Sequence, residues 1–406
     1  MKVLVVNSGS SSVKYQVVDT VARAPLVVGL VERIGAGGAV LTQQRRDDGA
    51  RIRSTAPLLD HRDAIEAILD LIADPERGAV ESLDEIGAVG HRVVHGGEAF
   101  TESARIDPHV LDRIRELIAL APLHNPHNLA GIGAALARLP DVPHVAVFDT
   151  AFHTSMPPRA FHYALPYVLY ERHRIRRYGF HGTSHQHVAS RLADLLGRPL
   201  EELRLISIHL GNGASACAVA KGRSIDTSMG FTPLDGLVMG TRSGDLDAAA
   251  VLHVMGREEI GIADATALLN KHSGLQGLSG ISSDMRDLLE EEAEGSKRAA
   301  LALDVYTYRV RKYIGAYAAV LEGVDAVGFT GGIGQNAPGI RARCLEGLRF
   351  LGLEIDPEAN ERLTGGEEGF FHAGATAAAA IRTGEELVIA LEAERLAAVD
   401  PSGSPG

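Results

Sequence analysis

Three predicted strands each run directly into a turn of small residues, and this feature constrains the fold more than any other. The turns are Asn7-Ser-Gly-Ser-Ser-Ser12, Gly211-Asn-Gly-Ala-Ser215 and Gly331-Gly-Ile-Gly334. Backbone N–H groups in such turns approach an anion closely, and serine hydroxyls add further donors. One such turn is most often only a hairpin. Three in one chain favour hairpins that hold phosphates.

The common nucleotide-binding motifs do not account for these turns. A P-loop needs Gly-Lys before Ser or Thr, and none of the six lysines follows a glycine. The Asp-Phe-Gly segment of protein kinases does not occur in the sequence. A dinucleotide-binding turn opens a helix, whereas the first turn here leads into a strand. The sequence therefore predicts a phosphate site of another kind.

The pattern of apolar residues indicates that one pair of strands at the start of the chain is repeated near its middle. Strands predicted at 3–6 and 13–18 form a hairpin, and strands at 205–210 and 216–220 repeat it. Other predicted strands lie at 86–89, 144–148 and 326–329, and helices at 62–73, 109–121, 128–139, 300–322 and about 384–397. A Ser/Gly/Pro tail, expected to be disordered, follows the last helix. The first part is therefore mixed α/β.

Length and composition bound the class of protein. A chain of 406 residues exceeds one comfortable core, so two domains or one elaborated domain are expected. The net charge of -12 opposes nucleic-acid binding. The two cysteines, Cys217 and Cys344, lie far apart, which indicates neither disulfides nor zinc. No apolar run reaches the length of a signal core or a membrane span. We expect a soluble cytoplasmic protein without nucleic-acid or membrane partners.

Charged residues follow or flank several predicted strands. Arg92 and Arg242 stand beside glycines, where an arginine is either a structural clamp or a donor fork for carboxylate or phosphate. Asp149 ends a strand, at the edge where ligands gather in open α/β sheets, and the alternative is an aspartate that caps a helix or lies in a turn. Lys14 lies just past the serine turn, where it is able to neutralise a phosphate.

Two of the 17 histidines lie in turns bounded by glycine or proline, namely His124 and His181. An imidazole there either donates to a transferring phosphoryl group or merely fastens a loop. His153 and His185 are assigned a structural role.

Several long motifs resemble the acetate kinase family, in order and over about residues 3–395. They include Val5-Val-Asn-Ser-Gly-Ser-Ser-Ser-Val-Lys14, Arg177-Tyr-Gly-Phe-His-Gly-Thr-Ser-His185 and Met239-Gly-Thr-Arg-Ser-Gly-Asp245, with further matches at 91–97, 209–213, 226–234, 283–286, 329–334 and 383–387. The resemblance implies an α/β fold of duplicated ribonuclease-H-like domains, as in acetate and sugar kinases, heat-shock 70 ATPases and actin. The first domain then takes residues 1–150 plus 385–406. The second, nucleotide-binding and dimerisation, domain takes 151–384.

The resemblance also implies the site residues. Asn7 and Glu385 are similar to the groups that hold Mg²⁺, for which Mn²⁺ is an alternative. Arg92 and Arg242 flank the acid and the phosphoryl group, Asp149 is the catalytic aspartate, and His181 stabilises the transition state with support from His124. The pocket around the acid is formed by Arg92, Val94, Leu123, Phe180 and Pro233. The ATP positions are Ser10, Ser12, Lys14, His209, Leu210, Gly211, Asn212, Gly213, Asp284, Met285, Arg286, Gly332, Ile333, Gly334, Gln335 and Asn336.

The sequence departs from the family pattern at Gln335, where Glu is usual, and at His127, and residues 36–60 match nothing in the family. The expected reaction is reversible, Mg²⁺-dependent phosphoryl transfer between ATP and acetate, giving acetyl phosphate and ADP, in a homodimer. Two alternatives stay open at this point. One is the same chemistry on propionate or butyrate, and the other is a nucleotide-gated ATPase that acts as an interaction protein.

Overall fold

A computed structural model describes residues 1–398, which form two compact units. Unit 1 comprises Met1–Ala151 and the chain from Gly384 onward, and unit 2 comprises Phe152–Thr383. The boundaries predicted from the sequence differ from these by one residue. The Ser/Gly/Pro tail lies outside the described residues. Within 1–398, no helix combines the length and the apolar character that crossing a bilayer requires.

Unit 1 is built on an eight-stranded sheet. Its strands are β1 (Lys2–Ser8), β2 (Ser12–Asp19), β3 (Ala24–Glu32), β4 (Ala39–Arg45), β5 (Arg51–Ala56), β6 (Ile86–Val93), β7 (Ala104–Arg105) and β8 (His144–Phe148). They lie in the order β5-β4-β3-β2-β1-β6-β8-β7. Strands β1 to β5 are antiparallel neighbours, whereas β6 runs parallel to β1 and β8 runs parallel to β6.

Helices cover both faces of this sheet around β1. They are α1 (His61–Ile72), α2 (Pro108–Glu116), α3 (Asn125–Arg138) and the C-terminal helix (Glu385–Ala397). Leu4 and Val6 face a core shared with α1 and α3, and Val3 and Val5 face the C-terminal helix. A strand buried on both faces reads as a continuous apolar run, which is why β1 is recognisable from sequence. The helix lies so close to β6 that a Cβ at Gly90 would be 2.6 Å from the side chain of Ile389.

Unit 2 is built on a six-stranded sheet. Its strands are β9 (Arg204–Leu210), β10 (Ala214–Ala220), β11 (Arg223–Thr227), β12 (Ala326–Thr330), β13 (Gly369–Phe370) and β14 (Ala377–Ala380), in the order β11-β10-β9-β12-β14-β13. Its helices are α4 (Pro158–Phe161), α5 (Tyr167–His173), α6 (Gly182–Leu196), α7 (Ala248–Arg257), α8 (Ile262–Lys271), α9 (Gly274–Ser279), α10 (Met285–Ala293), α11 (Lys297–Val320), α12 (Gly331–Asn336), α13 (Pro338–Leu345) and α14 (Pro357–Arg362).

The two sheets share one five-strand plan. In unit 1, the order β3-β2-β1-β6-β8 has two antiparallel pairings followed by two parallel ones. In unit 2, β11-β10-β9-β12-β14 has the same order and the same directions. The predicted duplicated α/β fold is confirmed.

One predicted hairpin is wrong. The first two small-residue turns join β1 to β2 and β9 to β10 as antiparallel pairs, but the third, after β12, opens the short helix α12. Gly331 has a positive φ of 81°, and a Cβ there would lie 2.4 Å from the carbonyl oxygen of Leu210. Gly331 therefore allows the backbone to pack closely against β9, and the chain does not reverse its direction there.

Candidate active site

The first turn carries predicted nucleotide and metal groups at the turn end of the β1–β2 hairpin. Asn7 and Lys14 are direct cross-strand partners. The turn is closed by the N–H of Gly9, which donates to the carbonyl of Ser12 at 2.8 Å. Ser10 and Lys14 are exposed, whereas Asn7 and Ser12 are half-buried. The hairpin therefore presents an amide, an ammonium and two hydroxyls at one end of the sheet.

Arg92 and Asp149 form an ion pair at the same sheet edge. Arg92 is the penultimate residue of β6, and Asp149 directly follows β8, the parallel neighbour of β6. The carboxyl ends of parallel strands lie at one edge of a sheet. The guanidinium donates from Nη2 to Oδ2 at 2.7 Å and from Nε to Oδ1 at 3.3 Å. Its Nη1 also donates to Oδ1 of Asn7 at 3.4 Å. The Asp149 side chain is 1% exposed, so its carboxylate is held in one orientation.

Charge is concentrated around this ion pair. Burial alone would lower the pKa of Arg92, but the carboxylates of Asp149 and Glu385 raise it overall, so the guanidinium stays charged. Burial, with the neighbouring charge of Asp149, raises the pKa of Glu385 despite the opposing influence of Arg92 and Lys14. Glu385 begins the C-terminal helix, which places its carboxylate beside β6 and β8. Burial therefore disfavours the ionised form of Glu385.

The donor set in unit 1 fits a Mg²⁺ ion held by few protein ligands. Among the described residues no group of three His, Cys, Asp or Glu side chains forms a metal cage. Mg²⁺ is usually bound by one or two carboxylates together with substrate phosphates, and it prefers oxygen donors. Asn7 and Glu385 offer an amide oxygen and a carboxylate, and the raised pKa of Glu385 marks a charge that a cation would stabilise.

In unit 2, two predicted catalytic groups meet over Gly213. A Cβ on Gly213 would lie 2.9 Å from Nη2 of Arg242 and 3.5 Å from Nε2 of His181. Arg242 is fixed by a hydrogen bond of 2.7 Å from Nη1 to the carbonyl of Pro233. The absence of a side chain at Gly213 leaves space beneath both groups. A guanidinium and an imidazole therefore share one small concave surface.

The predicted nucleotide segments surround a cavity of about 640 Å³ in unit 2. Eight of the predicted positions line it, namely Gly211, Asn212, Asp284, Met285, Arg286, Gly332, Ile333 and Asn336. Asp284 caps α10, and its ion pair of 2.7 Å with Arg286 is the largest cause that lowers the pKa of Asp284 to about 2. The second and third turns thus meet at one cavity, although their distance apart in sequence is large.

Other predicted nucleotide positions lie behind the cavity wall. Gly334 and Gln335 are buried, and their carbonyls accept hydrogen bonds of 2.8 and 2.9 Å from Nη1 of Arg341. The side chain at the atypical position Gln335 is therefore directed into the protein. His209 is half-buried, and its ring lies 4.4 Å from that of His181.

The four predicted apolar pocket residues divide between the units. Val94 and Leu123 belong to unit 1, where Val94 is buried and Leu123 is 69% exposed. Phe180, which is buried, and Pro233 belong to unit 2. His124 is exposed at the start of α3. Their role around the acid stays a prediction.

Sequence reasoning missed residues whose partners are distant in the chain. The side-chain amide of Asn128 donates to the carbonyl of Ser8 at 2.8 Å and accepts from the N–H of Val94 at 3.1 Å. It ties the first turn to the end of β6. Ser283, Leu289 and Ala337 line the same cavity in unit 2 and were not predicted. Of these three residues, only Ser283 lies in a predicted motif, so only Ser283 could have been found from the sequence.

The duplicated sheets and the cavity lined by two small-residue turns are suited to binding a phosphorylated ligand. A profile of the Acetokinase family matches residues 2–391. An acetate kinase of Symbiobacterium thermophilum is 53% identical over 401 residues, covering 98% of this chain and 99% of that protein. The chain belongs to the acetokinase family of kinases.

Solved structures agree with this assignment. The acetate kinase of Porphyromonas gingivalis has a TM-score of 0.94 and 42% identity, covering 97% of this chain and 99% of its own. A propionate kinase from Francisella tularensis has a TM-score of 0.90 and 40% identity, with the same coverage. The predicted family and the fold are both confirmed.

Proposed function

We propose that the chain catalyses reversible transfer of the γ-phosphoryl group of ATP to acetate, giving acetyl phosphate and ADP. The observation that carries the proposal is the meeting of Arg242 and His181 over Gly213, directly beside Gly211 and Asn212, which line the nucleotide cavity. Donors for a transferring phosphoryl group thus lie at one end of a nucleotide-sized cavity. The names of the relatives support acetate as the acceptor.

The reaction is a direct in-line displacement. An oxygen of the acetate carboxylate attacks the γ-phosphorus, and the bond from that phosphorus to the β–γ bridging oxygen breaks, which releases ADP. Arg92, Arg242 and His181 are assigned to the charge on the equatorial oxygens, with His124 in support, since phosphoryl transfer depends mainly on positioning and electrostatic stabilisation. No covalent enzyme intermediate is needed.

Asp149 positions Arg92 and does not act as a base. A carboxylic acid with a pKa near 4 to 5 is already ionised at pH 7, so the acceptor has no proton to remove. The two hydrogen bonds between Asp149 and Arg92 fix the plane of the guanidinium. A fixed fork binds a carboxylate or a phosphoryl group with defined geometry.

Asn7 and Glu385 are proposed to hold Mg²⁺, with Mn²⁺ as an alternative. The metal supplies neutralisation of phosphate charge when it is bound. Lys14, Ser10 and Ser12 complete the phosphate contacts from the same hairpin. Because Glu385 has a raised pKa, its metal affinity is expected to fall as the solution becomes acidic.

Propionate is the second candidate acceptor, because the propionate kinase structure is nearly as similar as the acetate kinase structure. One methylene in an apolar pocket changes the transition-state energy by only about 1 to 3 kcal/mol. Val94, which is buried, favours a short acid. Acetate is therefore the preferred acceptor, and propionate is a slower one.

Hydroxylamine trapping of the acyl phosphate tests the proposal. The enzyme is given Mg²⁺, ATP and acetate, propionate or butyrate, and hydroxamate and ADP are both measured. Acetate is expected to give the highest kcat/KM. Release of ADP without hydroxamate from any acid would show an ATPase instead and would overturn the proposal.

The proposal also includes a cytoplasmic homodimer formed through unit 2, without nucleic-acid or membrane partners. The net charge of -12 supports the absence of nucleic acid. Helix α7 supports the dimer, since the sequence Ala-Ala-Ala-Val-Leu-His-Val-Met is apolar, yet none of its residues is buried within the chain. Exposed apolar surface of this kind marks a protein interface.

A further inference from the structure

His181, the proposed hydrogen-bond donor to the transferring phosphoryl group, stands at the outer end of a chain of linked hydrogen bonds. It precedes helix α6, and His185 lies one turn later on the same face. Both imidazoles reach the hydroxyl of Ser215 on β10, which is 2.9 Å from Nδ1 of His181 and 2.8 Å from Nε2 of His185. Nδ1 of His185 in turn lies 2.8 Å from the hydroxyl of Ser207 on β9.

Each hydroxyl in this chain is a single donor, which fixes how the protons are shared. A serine hydroxyl donates one hydrogen bond, and a neutral imidazole donates from one nitrogen and accepts at the other. Ser215 therefore donates to one imidazole and accepts from its neighbour. Only two consistent arrangements exist, and they run in opposite directions along the chain.

Ser207 decides between the two directions. It is fully buried, and among the described residues its hydroxyl has one hydrogen-bond partner, Nδ1 of His185. If His185 donated to Ser207, the hydroxyl proton of Ser207 would have no acceptor, and a buried donor without a partner is unfavourable. If Ser207 donates, the hydroxyl protons of Ser207 and Ser215 and the Nε2 proton of His185 all have acceptors. The favoured direction runs from Ser207 to His185, then to Ser215, then to Nδ1 of His181.

We propose that Ser215 and His185 are positioning residues that hold His181 as a neutral imidazole carrying its proton on Nε2. Nδ1 of His181 accepts from Ser215, so the remaining N–H is on the edge that faces the space above Gly213, beside Arg242. His181 then contributes to phosphoryl transfer as a directed hydrogen-bond donor, and Arg242 supplies the positive charge. The kinetic part of this inference rests on the proposed function.

The surroundings of His185 agree with a neutral ring. Burial, with the nearby rings of His153 and His209, keeps the pKa of His185 well below its usual value. A doubly protonated His181 would have to donate from Nδ1 to Ser215 and would reverse the whole chain. The buried chain therefore opposes the imidazolium form of His181 as well as the wrong tautomer.

Nitrogen NMR of the full-length protein labelled with ¹⁵N-histidine tests the tautomer directly, with His181→Gln to assign the signals. Neutral His181 with the proton on Nε2 is expected at pH 7.5. In Ser215→Ala, a mixture of tautomers and a kcat lower by about ten-fold are expected, with the KM for ATP little changed. Wild-type His181 that is protonated on Nδ1, alone or together with Nε2, overturns the inference.

Ser224→Ala is the matched control. Ser224 is also fully buried and hydrogen-bonds a buried imidazole, Nδ1 of His153 at 2.8 Å, but it has no bond to His181. A general packing defect would affect both variants alike, whereas only Ser215→Ala should change the His181 signals. Equal effects in both overturn the inference. If Ser215→Ala does not fold, Ser207→Ala and the wild-type spectrum test the same inference. A wild type that has the Nε2 tautomer but no kinase activity would reject only the proposed function.

Discussion

At the residue scale, the charges of unit 1 are arranged by direct contacts among a few side chains. Arg92 joins Asp149 and Asn7, which come from three neighbouring strands or their ends. The pair is nearly buried, so removing one partner leaves the other charge without compensation. The position of the guanidinium therefore depends on Asp149 more than on its own side-chain preferences.

Replacement of Asp149 by Asn should lower kcat about 100-fold at saturating Mg²⁺, because a displaced donor fork loses its alignment with the phosphoryl group. Steady-state hydroxamate assays over a range of Mg²⁺ concentrations measure this. Asp325→Asn is the control, since Asp325 also pairs with an arginine, Arg198 at 3.1 Å, but lies away from the site residues. Near-normal kcat in Asp149→Asn would rule out the positioning role.

The ionised carboxylate of Glu385 is expected to lower the stability of the fold while it supports Mg²⁺-dependent turnover. Its pKa is raised by burial, so the folded chain holds its proton more tightly than the unfolded chain does. Its contribution to stability is then fully present below the usual Glu pKa and is lost as the pH rises through the raised value. Glu385→Gln should therefore raise Tm at pH 7 while it abolishes Mg²⁺-dependent turnover.

The wild type should show the matching pH dependence, with an apparent KM for Mg²⁺ that increases as the pH falls from 7.5 towards 5.5. Protons and metal compete for the same carboxylate. Glu386→Gln is the control, because burial and then the charge of Glu385 raise its pKa too. This variant should gain stability without a change in the KM for Mg²⁺. A Mg²⁺ requirement unchanged in Glu385→Gln would contradict the assignment.

Sequence reasoning proposed Arg92, Asp149 and Arg242 because charged residues at strand ends, or between small residues, form a local pattern. It did not identify Ser215 as a partner of two histidines, or Arg341 as a support of the third turn. Those roles depend on which strand or helix lies opposite, and no local pattern contains that information. The sequence indicates which residues are candidates for the site, but it does not indicate which residues contact one another.

At the element scale, α12 depends on a single buried arginine. Arg341, on α13, is fully buried and donates to the carbonyls of Gly334, Gln335, Asn360 and Leu363 and to the side chain of Asn360. Burial lowers its pKa to about 10, which still leaves it charged at neutral pH. The arginine therefore holds the far side of the segment whose Gly332 and Ile333 line the proposed nucleotide cavity.

Arg341→Lys should raise the KM for ATP about ten-fold and leave the KM for acetate nearly unchanged. A lysine has three donors for five acceptors, so at least two buried oxygens lose their partners, at about 1 to 3 kcal/mol each. Initial rates with each substrate varied in turn, together with thermal melts, measure both effects. Arg343→Lys, on the same helix but half-exposed and paired with Glu292, should change neither KM. Parallel increases in both KM values in Arg341→Lys would contradict a local role.

The strands that carry longer runs of buried apolar residues were easier to predict than those with mixed composition. The strands β1, β6, β8, β9 and β12 are mostly buried, and the sequence places all of them. Strands β3 to β5 were missed. In β5 no residue is fully buried, and β4 mixes Thr and Gln with its apolar residues. An antiparallel edge of a sheet needs little apolar surface, so the sequence signal is weak.

At the scale of the whole molecule, duplication of the sheet leaves the units with different surfaces. Unit 2 carries exposed apolar residues on or near α7, including Leu246 at 53%, Leu252 at 70% and Ile262 at 80% exposure. An isolated exposed leucine needs no explanation, but an apolar helix without a buried residue does. The proposed dimer would bury this surface.

Leu252→Glu should convert the dimer to a monomer, because a charge in a desolvated apolar interface is costly. Light scattering coupled to gel filtration gives the molar mass directly. Val21→Glu, at an apolar residue of unit 1 that is 84% exposed, should leave the mass unchanged. A wild-type mass of one chain would reject the dimer.

The return of the C-terminal helix to unit 1 has a consequence for synthesis on the ribosome. The helix covers the sheet face formed by Val3, Val5 and Val147, yet it is the last of the described elements to be translated. While residues 152–383 are made, on the order of 10 to 50 s at usual elongation rates, that face is uncovered. The nascent chain therefore carries an exposed apolar surface, suited to chaperone binding, until translation has passed residue 397.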